Sequence, residues 1–256
     1  MNIYEAIFCR MSVRKFRMEP IEEKRLEHLN RFIGMVTKLR EEIPYRIEIK
    51  CPLLRKETIR GAGKAEAPYY LVFYSQPAEG YLENAGFILE QIVLYLTLKG
   101  IGSCYQGSLR LTAGPEAAAE GMVPVIAVAF GLPAESCVRE RGREQRRSLS
   151  SMVICKEEVG DDVREILKAA RVAPSAMNRQ PWRLVVYHNR IHVFAKKSLP
   201  MFGQLQRIDM GIVLCHIVAA AEEQWLEPKV QRMDSIAEQK MGDYRYTATV
   251  WLQPIL

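Results

Sequence analysis

The ten residues Ala173-Pro174-Ser175-Ala176-Met177-Asn178-Arg179-Gln180-Pro181-Trp182 say more about the fold of this 256-residue chain than any other stretch. They lie between a predicted amphipathic helix, Asp161–Val172, and a predicted strand, Trp182–Tyr187. Two prolines restrict the backbone, and the small residues allow another molecule to approach closely. Such a stretch is either a well-formed turn with capping roles or a rigid binding loop. Its polar side chains, which suit a heteroaromatic ring edge or a polyol chain, are Ser175, Asn178, Arg179 and Gln180.

A second informative segment is Arg10-Met11-Ser12-Val13-Arg14-Lys15-Phe16, which is short and basic. In an extended conformation Arg10, Ser12 and Arg14 project from the same face. Two guanidinium groups on either side of a hydroxyl can clamp a phosphate. A basic surface segment without a ligand is the alternative interpretation.

Periodicity predicts helices and strands on both sides of these two segments. The long apolar helix in the first half ends at a predicted glycine cap, Gly100. The further predicted helices are Asn2–Cys9, Ile21–Leu39, Asn84–Lys99 and Asp209–Trp225. The further predicted strands are Tyr45–Lys50, Ala67–Tyr74, Pro124–Phe130, Ile191–Phe194 and Tyr244–Leu252.

The order helix, strand, long helix, strand occurs twice along the chain. Pro44-Tyr45-Arg46 matches Pro181-Trp182-Arg183, and the predicted long helices start at Asn84 and Asp209. Two copies of one supersecondary unit predict a pseudo-two-fold protein, with chance similarity of amphipathic elements as the alternative. We therefore expect one compact unit over residues 1–256, with halves of about 1–150 and 151–256.

Composition places the chain among ordinary globular proteins. Hydrophobic residues make up 48% and charged residues 26%, which excludes disorder for the bulk of the chain. The net charge of +6 is mild, and five arginines cluster within Cys137–Ser150. This local concentration favours a phosphate ligand over a broad nucleic-acid surface, and a solvated linker is the alternative.

Cysteine spacing and apolar runs suggest the compartment. Six cysteines show no C-x-x-C and no metal-ligand spacing, as expected of free thiols in a reducing environment. His188 and His192 are four residues apart in a predicted hairpin, so we expect no metal site there. Glu5 interrupts the apolar run that a signal peptide needs, and Lys99 interrupts the longest apolar stretch. We expect a cytoplasmic protein with no membrane or nucleic-acid partner.

The two segments together resemble the FMN-dependent nitroreductase family. That family carries S-V-R-x-F, usually preceded by Arg, and A-P-S-A-x-N-x-Q-P-W after a helix; both stand here nearly complete. The Asn84–Gly107 helix and turn, the Val125–Gly131 strand and the Arg-rich segment follow the family's order. The resemblance implies an α+β, nitroreductase-like fold.

The distribution of the two motifs departs from the family. Ordinary members carry both in one copy of the fold, and a homodimer builds two sites. Here S-V-R-x-F lies in the first half and the loop motif in the second, with only Glu41-Glu42-Ile43-Pro44-Tyr45 at the matching place. This resembles a fused, duplicated subgroup, whose pseudo-symmetric halves each hold a small antiparallel-type sheet packed by helices and imitate the homodimer. It implies one FMN per chain and a monomer or weak homodimer.

The resemblance also implies roles for individual residues. The phosphate and ribityl end of FMN would be held by Arg10, Ser12 and Arg14. Because Arg146-Arg147-Ser148-Leu149 matches the family's R-K-P-L, Arg146, and after it Arg147, would be a second ligand of the same phosphate. Backbone N–H groups near Gln106 and Gly107 would face the flavin N5 edge. The opposite side of the flavin would be lined by Pro174, Ser175, Ala176, Asn178 and Gln180.

The implied activity is an NAD(P)H oxidoreductase with ping-pong hydride transfer through flavin N5. NADH or NADPH is the transient reductant, and a nitroaromatic, quinone or similar small molecule is the acceptor. The flavin carries the chemistry, so no side chain is expected to be catalytic. Arg179 or a backbone N–H would stabilise the reduced flavin. The alternatives are a flavin-binding sensor or carrier and a flavin-fragmenting enzyme that acts on reduced FMN with oxygen.

Overall fold

A computed structural model describes residues 1–52, 60–61, 65–107, 109–110, 115–238 and 241–255. The chain divides into two compact units, Met1–Arg143 and Glu144–Leu256, here called unit 1 and unit 2. The division lies a few residues before the boundary expected near residue 150. That both units form one pseudo-dimeric body stays a prediction.

Unit 1 is built on a four-stranded antiparallel sheet with the strand order β1-β3-β6-β4. A separate two-stranded ribbon pairs β2 with β5. The helices are α1 (Ile3–Cys9), α2 (Glu23–Ile33), α3 (Tyr81–Leu98) and α4 (Pro115–Ala119). The strands are β1 (Tyr45–Lys50), β2 (Arg60–Gly61), β3 (Tyr69–Ser75), β4 (Gly102–Gln106), β5 (Leu109–Arg110) and β6 (Val123–Gly131).

Local sequence explains the main elements of unit 1. Asn2 and Glu5 form a reciprocal capping box that starts α1. All of β3 is buried, in keeping with its continuous apolar and aromatic sequence. Helix α3 is apolar nearly all round, which predicts burial, and Gly100 (φ 68°) follows it in the left-handed region.

Unit 2 is built on a five-stranded sheet with the order β10-β11-β9-β8-β7. Its pairs are antiparallel, except that the edge strand β7 runs parallel to β8. The helices are α5 (Leu149–Met152), α6 (Asp161–Val172), α7 (Pro200–Glu223) and α8 (Asp234–Ala237). The strands are β7 (Val153–Cys155), β8 (Trp182–Tyr187), β9 (Arg190–Lys196), β10 (Leu226–Gln231) and β11 (Tyr244–Pro254).

Both sheets contain the same sequence of connections. In unit 1 the strands β1 and β3 precede the long helix α3, and β4 and β6 follow it; in unit 2, β8 and β9 precede α7, and β10 and β11 follow it. In each case the spatial order is first, second, fourth, third. The mixed α+β class and the two helix-packed sheets predicted from the sequence are confirmed.

Three predicted boundaries are wrong for identifiable reasons. Helix α2 ends at Ile33 and not at Leu39, because Gly34 follows and the N–H groups of Thr37 and Leu39 bond to side chains of α3. Residues 102–106 form strand β4, where a turn was predicted, because pairing with β6 outweighs a small, polar sequence. Helix α7 begins at Pro200 and not at Asp209; Pro is favoured in the first turn of a helix.

Within the described ranges, no helix is both long enough and apolar enough to cross a membrane.

Candidate functional site

The residues predicted to bind a ligand fall into two groups, one in each unit. The group in unit 1 lies where the extended segment Arg10–Phe16 runs beside β4. Ser12 pairs with Ser103 in parallel fashion, and the Val13 N–H donates to the Ser103 carbonyl at 2.9 Å. Arg10 pairs with Val138 on the other side. These backbone bonds hold the segment extended, as the alternation of its side chains requires.

A glycine in β4 permits this close approach. A Cβ at Gly102 would lie 2.9 Å from three side-chain carbons of Val13. Contacts below 3.0 Å essentially never occur at real Cβ atoms, so any larger residue would push the basic segment away from β4. Gly102 therefore fixes the distance between the segment and the strand.

The basic segment places unsatisfied polar groups inside unit 1. Arg10 is only 3% exposed, and its Nη1 atom has no hydrogen-bond partner in the described part of the chain. The buried Oγ of the neighbouring Ser103 also lacks one there. A buried guanidinium nitrogen without a partner is costly, and an anionic ligand would satisfy it.

The Cys104 thiol shows that the predicted residues of unit 1 share one environment. Burial raises the pKa of this thiol above its ordinary value, and the positive charges of Arg14 and Arg10 oppose that rise. Hydrogen bonding by the Gln106 and Ser12 side chains also lowers the pKa. Four predicted site residues, Arg10, Ser12, Arg14 and Gln106, therefore all influence the same thiol in β4.

Gln106, the last residue of β4, and Gly107, the first residue after it, differ in exposure. The Gln106 side chain is buried: its Oε1 accepts from the Ala65 N–H at 2.9 Å, and its Nε2 donates to the Cys104 carbonyl at 3.2 Å. Gly107 is exposed in the turn that follows. The Gln106 amide thus links β4 to Ala65. A ligand at this end of β4 would therefore contact backbone groups and Gly107 instead of the Gln106 side chain.

The group in unit 2 is the loop Ala173–Trp182, whose backbone is strained. Met177, Asn178 and Gln180 have positive φ angles of 52°, 54° and 49°. Asn tolerates this region, but Met and Gln rarely adopt it. Among the described residues, Trp225 is the only other non-glycine with a positive φ. Strain of this kind concentrates at functional sites and persists because surrounding contacts enforce it.

Side chains of the loop supply those contacts. The Gln180 N–H donates to Ser175 Oγ at 2.9 Å, and Gln180 Oε1 accepts from the Arg147 N–H at 2.8 Å. Asn178 Nδ2 donates to the Gln145 carbonyl at 2.9 Å. The loop is therefore tied to itself and to the end of the Arg-rich segment.

Arg146 takes part in the same network. Its Nη1 donates to Asn178 Oδ1 at 2.8 Å, and its Nη2 donates to the carbonyl of Val172 at 3.1 Å. The exposed Arg147 is attached through its backbone, since its carbonyl accepts from Arg171 Nε at 2.8 Å. Part of the Arg-rich segment is thus bound to unit 2 and is not a free linker. A phosphate-binding role for Arg146 and Arg147 stays a prediction.

The side chain of Asp209 holds the loop Ala173–Trp182 in place. Asp209 was not among the site residues predicted from the sequence. This buried side chain lies on α7, and its Oδ1 accepts from the Ala176 N–H at 2.9 Å. Burial raises the pKa of Asp209 to about 8, although the Ala176 bond and the Arg179 charge favour the ionised form. A single acid inside the apolar run 208–217 was the available sequence signal.

Asn84 in unit 1 occupies the matching place. It is buried on α3, and its Oδ1 accepts from the N–H groups of Leu39 at 2.9 Å and Arg40 at 3.2 Å. Leu39 lies five residues before Pro44, and Ala176 lies five residues before Pro181. Each long helix therefore holds the loop that precedes a matching strand, β1 in unit 1 through a neutral amide and β8 in unit 2 through a carboxyl group.

Comparisons with known proteins agree with this architecture. A family model described as "Putative TM nitroreductase" matches residues 2–221. The crystal structure of a "putative nitroreductase" from Thermotoga maritima has a TM-score of 0.69 and 23% sequence identity, and the match covers 99% of this chain and 95% of that chain. That likeness establishes the fold.

Two other relatives match over shorter ranges. A "Putative NADH dehydrogenase/NAD(P)H nitroreductase" of Archaeoglobus fulgidus is 41% identical over 56 residues, or 22% of this chain. The match spans about a third of that relative, 32% of its length. A nitroreductase with bound FMN from Bacteroides fragilis covers 57% of this chain and 96% of its own, with 18% identity and a TM-score of 0.43.

Proposed function

The chain belongs to the family described as "Putative TM nitroreductase", and on that premise we propose that it is an FMN-dependent NAD(P)H oxidoreductase. The observation that carries the cofactor assignment is the buried Arg10 guanidinium, whose Nη1 has no partner in the described chain. Together with the sequence motif around it, this group fits a phosphate monoester.

The chemistry of unit 1 fits the phosphate end of FMN. Arg10 and Arg14 provide two positive charges near Cys104, and Ser12 adds a hydroxyl between them. Guanidinium groups bind phosphate oxygens in pairs and keep their charge at every physiological pH. We assign Arg10, Ser12 and Arg14 to the phosphate and ribityl groups, and the backbone at Gln106 and Gly107 to the isoalloxazine edge.

The loop Ala173–Trp182 in unit 2 fits the isoalloxazine ring of FMN. The Gln180 and Asn178 side chains are occupied in holding the loop. The loop therefore offers its fixed backbone and small residues, which suit a flat ring. We assign Pro174, Ser175, Ala176, Asn178 and Gln180 to the formation of this surface. For Arg146 and Arg147 to act as further ligands of the phosphate, the Arg146 side chain has to leave its present hydrogen-bond partners.

Bound FMN would supply the redox chemistry, by accepting a hydride from NADH or NADPH and passing electrons to a nitroaromatic, a quinone or a similar acceptor. The residues of the chain itself would bind and orient the FMN and stabilise the charge that develops on it. Arg179 belongs to the loop, its guanidinium lies 3.7 Å from the centre of the Phe202 ring, and it can stabilise negative charge there. No side-chain acid or base is required by this scheme.

The internal duplication is part of the same proposal. The shared strand order of the two sheets supports it, and so do the matching anchors Asn84 and Asp209. Chance similarity of amphipathic patterns does not account for a hydrogen bond at the same offset from a matching proline. We propose that the chain replaces the family homodimer and works as a monomer or weak homodimer.

Anaerobic reduction of the purified protein tests the activity. The protein should be yellow, and NADH or NADPH should bleach its absorbance near 450 nm; addition of a nitroaromatic or a quinone should restore it. A yellow protein that neither nicotinamide bleaches would indicate a sensor or carrier. Formation of a benzimidazole product in oxygen would indicate flavin fragmentation.

The cofactor assignment is tested by the variant Arg10→Gln. It removes the buried charge, so we expect FMN affinity to fall by at least about 10-fold, the loss of one charge-assisted contact. Lys15→Gln is the matched control, because Lys15 lies in the same segment but is 81% exposed and pairs with Glu135. Equal FMN affinity in the two variants, measured by equilibrium dialysis, would refute the phosphate assignment.

A further inference from the structure

A cavity of about 570 Å³ lies in unit 2, and no residue of the loop Ala173–Trp182 lines it. One wall is the sheet, through residues of β8, β9 and β11, and the other is α8 with its flanking residues. Small-molecule sites usually measure about 300–1,000 Å³. The cavity shares no lining residue with the candidate site described above.

The inner part of the cavity is apolar. Val185 and Phe194 are buried on the sheet and form a hydrophobic cluster with Tyr246. Met233, Ile236 and Met241 pack against that cluster from the side of α8 and also line the cavity. Methionines adapt to ligands of different shape. This part would accept a hydrocarbon or aromatic group.

The charged part of the cavity is positive. The Arg190 guanidinium lies 3.9 Å from the centre of the Tyr187 ring and 5.5 Å from that of Trp251. Stacking of this kind orients the guanidinium. One of its nitrogens, Nη1, donates to Asn189 Oδ1 at 2.9 Å. Lys156 adds a second cation at the exposed side.

No carboxylate of the described residues lines the cavity, although Glu157 lies near its cationic part: the hydrogen bonds from His188 and, less strongly, the Arg190 charge lower the pKa of Glu157. Within the described chain neither Arg190 nor Lys156 lies at ion-pair distance from Asp or Glu. The adjacent Glu157 accepts from the backbone and the ring of His188. His192, which also lines the cavity, is bonded to Thr249 Oγ1 at 2.7 Å, and burial and the Arg190 charge lower its pKa. The net charge of the lining is therefore positive.

We propose that this cavity binds a small organic anion with an apolar body, such as an arylalkanoate, with its carboxylate at Arg190 and Lys156 and its body against Phe194 and Ile236. Charge complementarity favours a negative head group, and the apolar lining favours an anion with an apolar body over a purely polar one. The site is independent of flavin binding, and its failure would leave the proposed function intact.

Calorimetric titration of the full chain as purified tests the proposal with a matched set of probes. These are 4-phenylbutyrate, the neutral 4-phenylbutan-1-ol and the cationic 4-phenylbutylamine. We expect saturable binding of one 4-phenylbutyrate per chain, at least about 10-fold tighter than the alcohol, with no binding of the amine. Equal affinity for the acid and the alcohol, or no saturable binding of the acid, would overturn the proposal.

Variants locate the binding. Arg190→Gln should weaken 4-phenylbutyrate binding at least about 10-fold, and Ile236→Trp should abolish it by filling the cavity from α8. Arg164→Gln is the matched control, because Arg164 is an exposed arginine on α6 that pairs with Asp161. Both test variants should keep the flavin content and melting temperature of the control. Undiminished binding in both would place the anion elsewhere and refute this site.

Discussion

Among the described residues, Asp209 is the one whose environment shifts its pKa most. It is buried on α7, and its acceptor oxygen holds the Ala176 N–H of the strained loop. Burial raises its pKa from the ordinary 3.8 to about 8, so at neutral pH it is mostly a neutral acid. A neutral acceptor is also what Asn84 provides at the matching position of unit 1.

The raised pKa makes stability depend on pH. The folded chain holds the Asp209 proton more tightly than the unfolded chain. This group's contribution to the free energy of unfolding is therefore largest below about pH 4, declines as pH rises, and is smallest above about pH 8. The decline is at most about 1.4 kcal/mol per pH unit.

The variant Asp209→Asn removes this dependence, because an amide keeps the acceptor oxygen and has no charge to bury. From pH 6 to pH 8, the melting temperature of the wild type should fall relative to that of the variant. Thermal unfolding in buffers of constant ionic strength measures this. Asp243→Asn, at an exposed acid, is the control and should follow the wild type. Parallel curves for wild type and Asp209→Asn would contradict the assignment.

At the scale of elements, the candidate site depends on irregular segments held by regular ones. The extended segment Arg10–Phe16 is held by β4, and the loop Ala173–Trp182 is held by α7. The first attachment depends on the absence of a side chain at Gly102, and the second on a buried carboxyl group. Sites on rigid supports keep their geometry when a ligand binds.

The variant Gly102→Ala tests the first attachment. Its Cβ would meet Val13, so we expect a loss of about 1–3 kcal/mol in the free energy of unfolding, together with weaker FMN binding. Gly203→Ala is the matched control: it lies in α7, and apart from its chain neighbours and the nearby backbone of its own helix no atom lies within 4 Å of the new Cβ, so Ala there should be neutral or stabilising. Urea unfolding and flavin content measure both effects. If Gly102→Ala behaves like Gly203→Ala, the close packing against Val13 has no role.

At the scale of the whole molecule, the two groups of site residues are complementary. Unit 1 carries the basic segment with Arg10 and Arg14, and unit 2 carries the loop with Asn178 and Gln180. Unit 1 has only Glu41–Tyr45 where unit 2 has the polar loop, and no S-V-R-x-F precedes α6 in unit 2. Two complete flavin sites per chain would need residues that the sequence does not contain.

We therefore expect one FMN per chain. The stoichiometry follows from the ratio of released FMN absorbance to protein concentration in fully reconstituted protein, with quantitative amino-acid analysis as the control for concentration. Two FMN per chain would contradict complementary loss of the two half-sites. Light scattering of the same sample measures whether the chain is a monomer or a weak homodimer.

The loop and the basic segment show how far sequence predicts the site. Both were identified from residue types and spacing, because prolines, small residues and paired arginines act locally. The positive φ at Gln180 was not predictable, since bonds to Arg147 and Ser175 hold that residue. The occupied guanidinium of Arg146 was equally hidden, because two of its partners, Asn178 and Val172, lie more than 20 residues away.

The sequence by itself determined strands β1 and β8, helix α6 and the two segments on which the family resemblance rests, because hydrophobic periodicity and motif spacing are local properties. The α+β class followed from that resemblance. Tertiary structure decided that the chain after Gly34 bonds to α3 instead of continuing α2, that 102–106 is a strand, that Asp209 is buried with a raised pKa, and that Arg190 faces a cavity. Each of these depends on long-range hydrogen bonds, pairing or desolvation, which arise only when residues distant in the chain come together.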